Sequence, residues 1–483
     1  MRRRAARGEF RNTTRSRSVM RSKPSNVDIA ASTPISVQEA QSVLDSLDRL
    51  ALYTHVLHDD IFQCYCAMLR CVAAGDPPHR FAAAAAKLSG LLAKHSEHKS
   101  AGVHGDAWQD FLVQHILEAE NAFTQRAALA GPTGLSTALR SLAEEDLAIL
   151  QRLFNLNAVA WRTLAGLLAA DEIPPYLAWD EFTSPGATDS ERHELDIRER
   201  LMSLQDWREA VPLLAAHYRR YGTGDFARYR AFRWVRSTRG GNLQGVPHPD
   251  PIRLEELIGD DRQRQLLMQN TEHLLAGYRA NNVLLCGDRG TGKSSTIKAL
   301  LHRYSRHGLR LVEVAKDDLG DFAHIVDVLR ERPQSFVIFV DDLSFEPHET
   351  DYKALKAILE GSVAAQPRNV VIYATSNRSH LIRENFSDRA GILEDEVHPK
   401  ETLQETFSLS DRFGIRISFV SPTQAHYLAI VAALTEQRGL LIQEADLRAR
   451  AITWAQQQNG FSGRTARQFV DFLEGDIGSG ASP

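Results

Sequence analysis

Apolar residues between about 37 and 220 recur every three or four positions, the spacing of helices that bury one face. Leu44, Leu47, Leu50 and Leu52 begin one such stripe, and Leu139, Leu142, Leu147, Leu150 and Leu153 carry another. Breaks at Gly75-Asp76-Pro77-Pro78, Gly131-Pro132 and Pro174-Pro175 separate the helices. The acidic triplet Glu144-Glu145-Asp146 reads as a solvated helix face.

After Pro251 the pattern changes. Short β-branched runs at Val283–Leu285, Leu311–Val314, Phe336–Val340, Val370–Tyr373 and Ile415–Val420 alternate with helical stretches. Such alternation implies a parallel sheet covered on both faces. From Ser421-Pro422 to about Gly475 the chain is helical again, over the length of a small lid. The expected organisation is a disordered basic tail (1–35), a helical domain (36–217), a linker (218–250), an α/β core (251–420), a lid (421–475) and a tail (476–483).

A chain of 483 residues, 43% apolar and 24% charged, has room for two or three domains of about 150 residues each. Its net charge of −4 argues against a general polyanion binder, so any nucleic-acid contact needs a local patch. No apolar run approaches the ~18 residues of a membrane helix. Four cysteines, three of them close together (Cys64, Cys66, Cys71), fit a reducing cytoplasm better than a disulfide framework. Their spacing, with His55 and His58, matches no zinc pattern and reads as small residues on a buried helix face. The first 24 residues hold nine Arg or Lys and one acid, Glu9. That leader reads as a disordered tail, a start placed ahead of Met20, or a transit peptide.

The sharpest chemical signal is Gly287-Asp288-Arg289-Gly290-Thr291-Gly292-Lys293-Ser294, which fits G-x4-G-K-[ST] and stands between a predicted strand and a predicted helix. Glycines let the backbone close around phosphate oxygens, with successive N–H groups pointing inward. The helix N-terminus adds positive partial charge. Lys293 can reach the β- and γ-phosphates and Ser294 can ligate Mg²⁺; Ser295 follows on the same turn. The ammonium is expected to point into the phosphate site and to pack against little without nucleotide. Beyond Lys293 by 48 residues, the apolar run Phe336–Val340 ends in Asp341-Asp342. An acid at that end of a central strand lies where α/β sheets bind ligands, and Asp341 suits the Mg²⁺.

The order of further motifs resembles AAA+ proteins, over roughly Arg253 to Gly475. Tyr373-Ala374-Thr375-Ser376-Asn377 resembles the sensor-1 strand, which implies that Asn377 orients the attacking water. Ser410-Asp411-Arg412-Phe413-Gly414 resembles the box that carries an arginine finger, and Arg389 in Ser387-Asp388-Arg389 is a rival for that role. Phe461-Ser462-Gly463-Arg464-Thr465-Ala466-Arg467 resembles sensor 2, with Arg464 at the phosphate-contacting position. Leu257-Ile258-Gly259-Asp260 resembles the segment that lies against adenine. More narrowly, Asp341 to Glu346 and Leu409 to Gly414 look like an AAA+ family labelled only as a domain of unknown function. The resemblance implies a five-stranded parallel sheet with helices on both faces and a helical lid, preceded by an all-α domain. It implies ATP and Mg²⁺ as cofactors, and a homo-oligomer, a hexamer being one form, acting on a protein partner away from membranes.

Two features depart from the usual AAA+ pattern. Asp342 stands where most such ATPases have Glu, so either Asp342 suffices as the catalytic base, or Glu346 one turn later takes that role, or hydrolysis is slow. The stretch Lys316-Asp317-Asp318-Leu319-Gly320 lacks the aromatic of a threading pore loop, which disfavours an unfoldase. Residues 218–239 hold seven arginines, one acid and six aromatics, a composition that suits phosphate contact with base stacking. The plainer reading docks those rings on the ATPase core, with Arg239-Gly240-Gly241-Asn242 as a hinge. The leading functional expectation is ATP hydrolysis at subunit interfaces to remodel or load a macromolecule. The alternative is a nucleotide-gated module or scaffold with slow hydrolysis. A small-molecule kinase is disfavoured, since it needs neither a neighbour's arginine nor a lid sensor.

Overall fold

The computed structural model describes residues 36–97, 105–168, 192–237, 240–344, 367–377, 410–458 and 460–479, with a few isolated positions between them. The first half is helical. Its longer helices are α1 (Val37–Leu47), α2 (Asp60–Ala74), α3 (Pro78–Glu97), α4 (Ala107–Leu117), α5 (Ala122–Ala130), α6 (Thr137–Asn155), α7 (Ala158–Leu168), α8 (Arg192–Ser203) and α9 (Val211–Tyr221). Side-chain caps set several starts: Ser36, Asp59, Asp106, Asn121 and Ser136 each accept from backbone N–H groups of the first turn. One continuous core runs from Ala40 to Tyr218 and includes the buried rings of Trp108, Trp161, Trp179 and Trp207.

The acidic triplet on α6 is not uniformly solvated. Asp146 is 1% exposed and accepts from the backbone N–H groups of Ala51, Leu52 and Tyr53 at 2.7–3.2 Å. The turn after α1 presents three amides that no helix satisfies, and a carboxylate answers all three. Cys64 and Cys66 lie buried in α2, packed in the same core.

The second half is built on one sheet. Its strands are β1 (Ala231–Ser237), β2 (Gly240–Val246), β3 (Val283–Gly287), β4 (Leu309–Glu313), β5 (Ser335–Val340), β6 (Val370–Ser376) and β7 (Ile415–Phe419). They run in the order β2-β1-β4-β5-β6-β3-β7, parallel except for the β1–β2 hairpin. Five of them are the expected strands, β3 to β7. The other two arise from the segment expected to be a linker. Gly240–Val246 reads GGNLQGV and carries little strand signal. Its glycines answer a packing need: a Cβ on Gly241 would collide with the Trp234 ring.

Side chains alternate across the sheet. Leu284, Ile338 and Ile372 face α13 (Phe322–Arg330), which follows the short α10 (Asp225–Arg228), α11 (Asp261–Leu275) and α12 (Lys293–Tyr304) in the chain. Leu285, Val337 and Tyr373 face α11 and α12. Full burial on both faces explains why β3, β5 and β6 read as unbroken apolar runs. Three last helices, α14 (Gln424–Gln437), α15 (Glu444–Gln457) and α16 (Gly463–Gly478), pack as a lid around Tyr427, Val431, Ala451, Phe469 and Leu473. Among the described residues no helix is long and apolar enough to cross a membrane.

Candidate nucleotide site

The glycine-rich loop links the C-terminal end of β3 to α12, whose first residue is Lys293. The carboxyl ends of β5 and β6 flank it, so Asp341, Asp342, Thr375 and Asn377 converge on the same place. Ser294 Oγ donates to Asp341 Oδ1 at 2.6 Å, and Thr375 Oγ1 donates to the same oxygen at 2.5 Å. The Asp342 amide donates to Thr375 Oγ1 at 2.9 Å. Asn377 Nδ2 donates to Asp342 Oδ1 at 2.5 Å. Asp342 itself sits at φ 51°, a left-handed conformation that aspartate tolerates better than most residues.

Lys293 differs from expectation. It is only 5% exposed, and its Nζ donates to the carbonyls of Gly287 and Asp288 at 2.7 Å and to Asn377 Oδ1 at 3.0 Å. The loop carbonyls supply oxygen ligands where phosphate oxygens are expected to lie. Burial pushes this ammonium below the usual lysine range, while Asp341, Asp342 and Asp288 pull the other way.

These groups floor a cavity of about 530 Å³. One wall is Leu257, Ile258 and Asp260, and the other is the lid, with Ile430, Leu434, Arg464 and Arg467. Gly259 lies behind that wall under the His426 ring, against which a Cβ would collide. Burial raises the Asp260 carboxyl above its usual range, partly offset by His426 and Arg264. The lid touches the loop directly: the Arg464 amide donates to the Gly290 carbonyl at 3.3 Å. Ser421 Oγ donates to Asp288 Oδ2 at 2.6 Å.

Of the expected nucleotide residues, Ile258, Arg289, Gly290, Thr291, Gly292, Lys293, Ser294, Ser295 and Arg464 line the cavity. Gly259, Gly287 and Asp288 adjoin it without lining it. Arg412 does not: it precedes β7, whose far end pairs Phe419 with Gly287. A strand of five residues, roughly 15 Å at ~3.3 Å per residue, separates it from this chain's loop. Glu346 and Arg389 lie outside the described residues.

Sequence reasoning passed over Thr375, Arg467 and His426. Thr375 stands inside the quoted sensor strand, and its hydroxyl ties Asp341 to the Asp342 backbone. Arg467 follows Arg464 by three positions, so helical spacing already puts both on one face. It lies 3.8 Å from Glu256. His426 left no signal in a single sequence.

The Arg- and aromatic-rich segment spends its rings on packing. Tyr218 belongs to the helical core, and Phe226, Phe232 and Trp234 to the sheet core. Arg233 pairs with Glu313 at 3.0 Å, and Arg236 with Asp321 at 2.9 Å. Leu319, at the position of a pore-loop apolar residue, is fully buried in the same core.

A family model described as a protein of unknown function (DUF815) matches residues 227–477. No curated protein matches the chain. Among solved structures it is similar to a variant of Thermotoga maritima RuvB, at 17% identity over 48% of this chain and 67% of that one, with a TM-score of 0.34. Another Thermotoga maritima RuvB structure, described as a Holliday junction branch migration motor, gives 17% identity over 46% and 72% of the two chains, with a TM-score of 0.29.

Proposed function

The chain belongs to the DUF815 family, and we propose that this member is an AAA+ ATPase which hydrolyses ATP at subunit edges to remodel or load a macromolecular partner. The observation that carries the reading is the convergence of Lys293, Ser294, Asp341 and Asn377 on one cavity, with Ser294 Oγ 2.6 Å from Asp341 Oδ1. A hydroxyl and a carboxylate side by side are hard oxygen donors of the kind Mg²⁺ takes with nucleotide phosphates, and the two residues fit that ion. When bound, the metal would neutralise phosphate charge. Lys293 would leave its carbonyl partners for phosphate oxygens. Leu257, Ile258, Ile430 and Leu434 would enclose the base, while Arg464 and Arg467 would bring lid charge toward the phosphates. Asn377 and Asp342, already hydrogen-bonded, would hold and deprotonate the attacking water. Arg412 would serve the site of a neighbouring copy, since its own site lies a strand length away.

One observation favours a slower, nucleotide-gated module. Asp342 is a short side chain in a left-handed conformation, and one of its carboxylate oxygens is already taken by the Asn377 amide. Phosphate release measured against protein concentration separates the two readings. Turnover per chain that rises with concentration supports shared sites. Tight ATP binding without turnover supports the gated module, and absence of ATP binding removes both.

A further inference from the structure

Among the described residues only two other than glycine adopt a left-handed backbone, Asp260 at φ 53° and Asp342 at φ 51°. Both line the nucleotide cavity. Asp342 has its task at the phosphate end, whereas Asp260 stands in the wall with Leu257 and Ile258 and has none so far. It occupies the position just before α11, where an aspartate normally caps its helix. Its side chain makes no capping bond, although the backbone stays in a sparsely populated region. The Arg264 guanidinium donates instead to the Leu257 carbonyl and to Asp261. His426 and Arg264 act on Asp260 through charge alone. Two other acids lining the cavity, Glu256 and Asp471, have arginine partners in Arg467 and Arg438. Asp260 is thus a half-buried carboxylate that accepts no hydrogen bond from the described residues. Withdrawing such a group from water without a donor is unfavourable, and backbone strain persists where function holds it.

We infer, on the reading of this cavity as an ATP site, that the Asp260 carboxylate reads the base by accepting a hydrogen bond from the 6-amino group of adenine. Adenine carries one hydrogen-bond donor, that amino group, while its ring nitrogens accept. An ionised carboxylate only accepts. The two can therefore meet in one way. Leu257, Ile258, Ile430 and Leu434 offer apolar surface to the ring faces, which does not distinguish one purine from another. Discrimination needs a polar group at the ring edge, and Asp260 is the unpartnered one in that wall. A nucleotide without the amino group leaves the carboxylate unanswered, and one with a carbonyl there sets acceptor against acceptor.

The test is competition against a ribose-labelled fluorescent ATP analogue, with the full-length chain and Mg²⁺. Purine riboside triphosphate lacks the amino group, and inosine triphosphate puts a carbonyl in its place. Each is expected to bind wild type about tenfold more weakly than ATP, or worse. In Asp260→Asn the gap to inosine triphosphate should shrink to about threefold, because an amide can donate to the carbonyl as well as accept from the amine. In Asp260→Gly all three should bind within about twofold of one another, since the group that tells them apart is gone. Glycine suits the left-handed backbone, so this variant should melt no lower than wild type. Wild type that binds ATP and both analogues alike overturns the inference, and so does tighter binding of GTP than of ATP. Losses in the two variants that fall equally on every nucleotide also overturn it. A penalty confined to 2′-deoxy-ATP would place Asp260 at the ribose and overturn it too. Those results would leave the ATP site standing, whereas absence of binding by every nucleotide would remove the site and the inference together.

Discussion

Asp146 and Asp341 are carboxylates beside well-packed cores, and the two halves of the molecule treat them in opposite ways. Asp146 is sealed in, and backbone amides of one turn occupy both its oxygens. Asp341 is open to a cavity, and its hydrogen bonds all fall on Oδ1. The same contrast holds more widely. In the helical half Asp106 caps α4 and also accepts from the Ala158 amide. In the α/β half Lys293 rests on loop carbonyls at a cost in burial. A buried polar group answered within its own domain holds a fold together. One turned toward shared space, and left partly answered, awaits a ligand.

The largest effect should come from Arg412, where the reading depends on a second copy of the chain. Arg412→Ala should bind ATP nearly as well as wild type and hydrolyse it about 10³-fold more slowly, the lower end of what such arginines contribute in related phosphoryl transfers. Mixing it with Lys293→Ala should restore activity, because one variant donates an intact loop and the other an intact arginine. Failure to complement, with wild type monomeric in the presence of ATP, would end the shared-site mechanism.

Lys293→Ala comes next. It should weaken ATP binding about 100-fold, the loss of a charge-assisted contact worth about 2–3 kcal/mol. Because Lys293 is buried at a cost, its removal should shift unfolding free energy by less than about 1 kcal/mol. Fluorescent-nucleotide titration and urea melts read the two quantities. A large loss of stability with intact binding would place Lys293 in the same class as Asp146.

Matched substitutions test the contrast itself. Asp146→Asn should cost about 1–3 kcal/mol in urea unfolding, since an amide NH₂ then faces backbone donors. Its ATP affinity, measured where the chain is folded, should not change. Asp341→Asn should do the reverse, leaving the melt near wild type and weakening only the Mg²⁺-dependent part of ATP binding. If both variants lose stability alike, the distinction between answered and waiting carboxylates fails.

How much of this was legible in the chain follows from the same contrast. The phosphate loop, the β5 strand and its acid were readable because phosphate geometry fixes their spacing and residue types. Asp146 was misread from the composition of its triplet, although position would have placed it. It lies three residues after Ala143 and four before Leu150, both fully buried, so helical periodicity puts it on the core face. The β1–β2 hairpin escaped because Gly240–Val246 earns its place through Trp234 lying over Gly241, a contact made in three dimensions.

The smallest predicted effect concerns that hairpin. Arg236 Nε donates to Asp321 Oδ2 at 2.9 Å and lies 3.5 Å from Asp318, fastening β1 to the segment that precedes α13. Trp234 Nε1 adds a second donor to the same Asp321 oxygen at 3.1 Å. The hydrogen bond from Arg236, then that from Trp234, holds the Asp321 carboxyl below its ordinary value, against a lesser opposing effect of burial. A carboxylate whose folded-state value is depressed adds stability at pH above its unfolded value, and loses it as pH falls through the folded one. Arg236→Gln should therefore be slightly less stable than wild type at neutral pH, and the gap should close as the pH falls through and below the ordinary carboxylate range. Arg236 is half-exposed, so solvent screening keeps the difference under about 1 kcal/mol. Urea melts at neutral and acid pH measure it. A gap that persists unchanged in acid would mean that Arg236 supports the hairpin through packing of its aliphatic stem, with the ion pair contributing nothing.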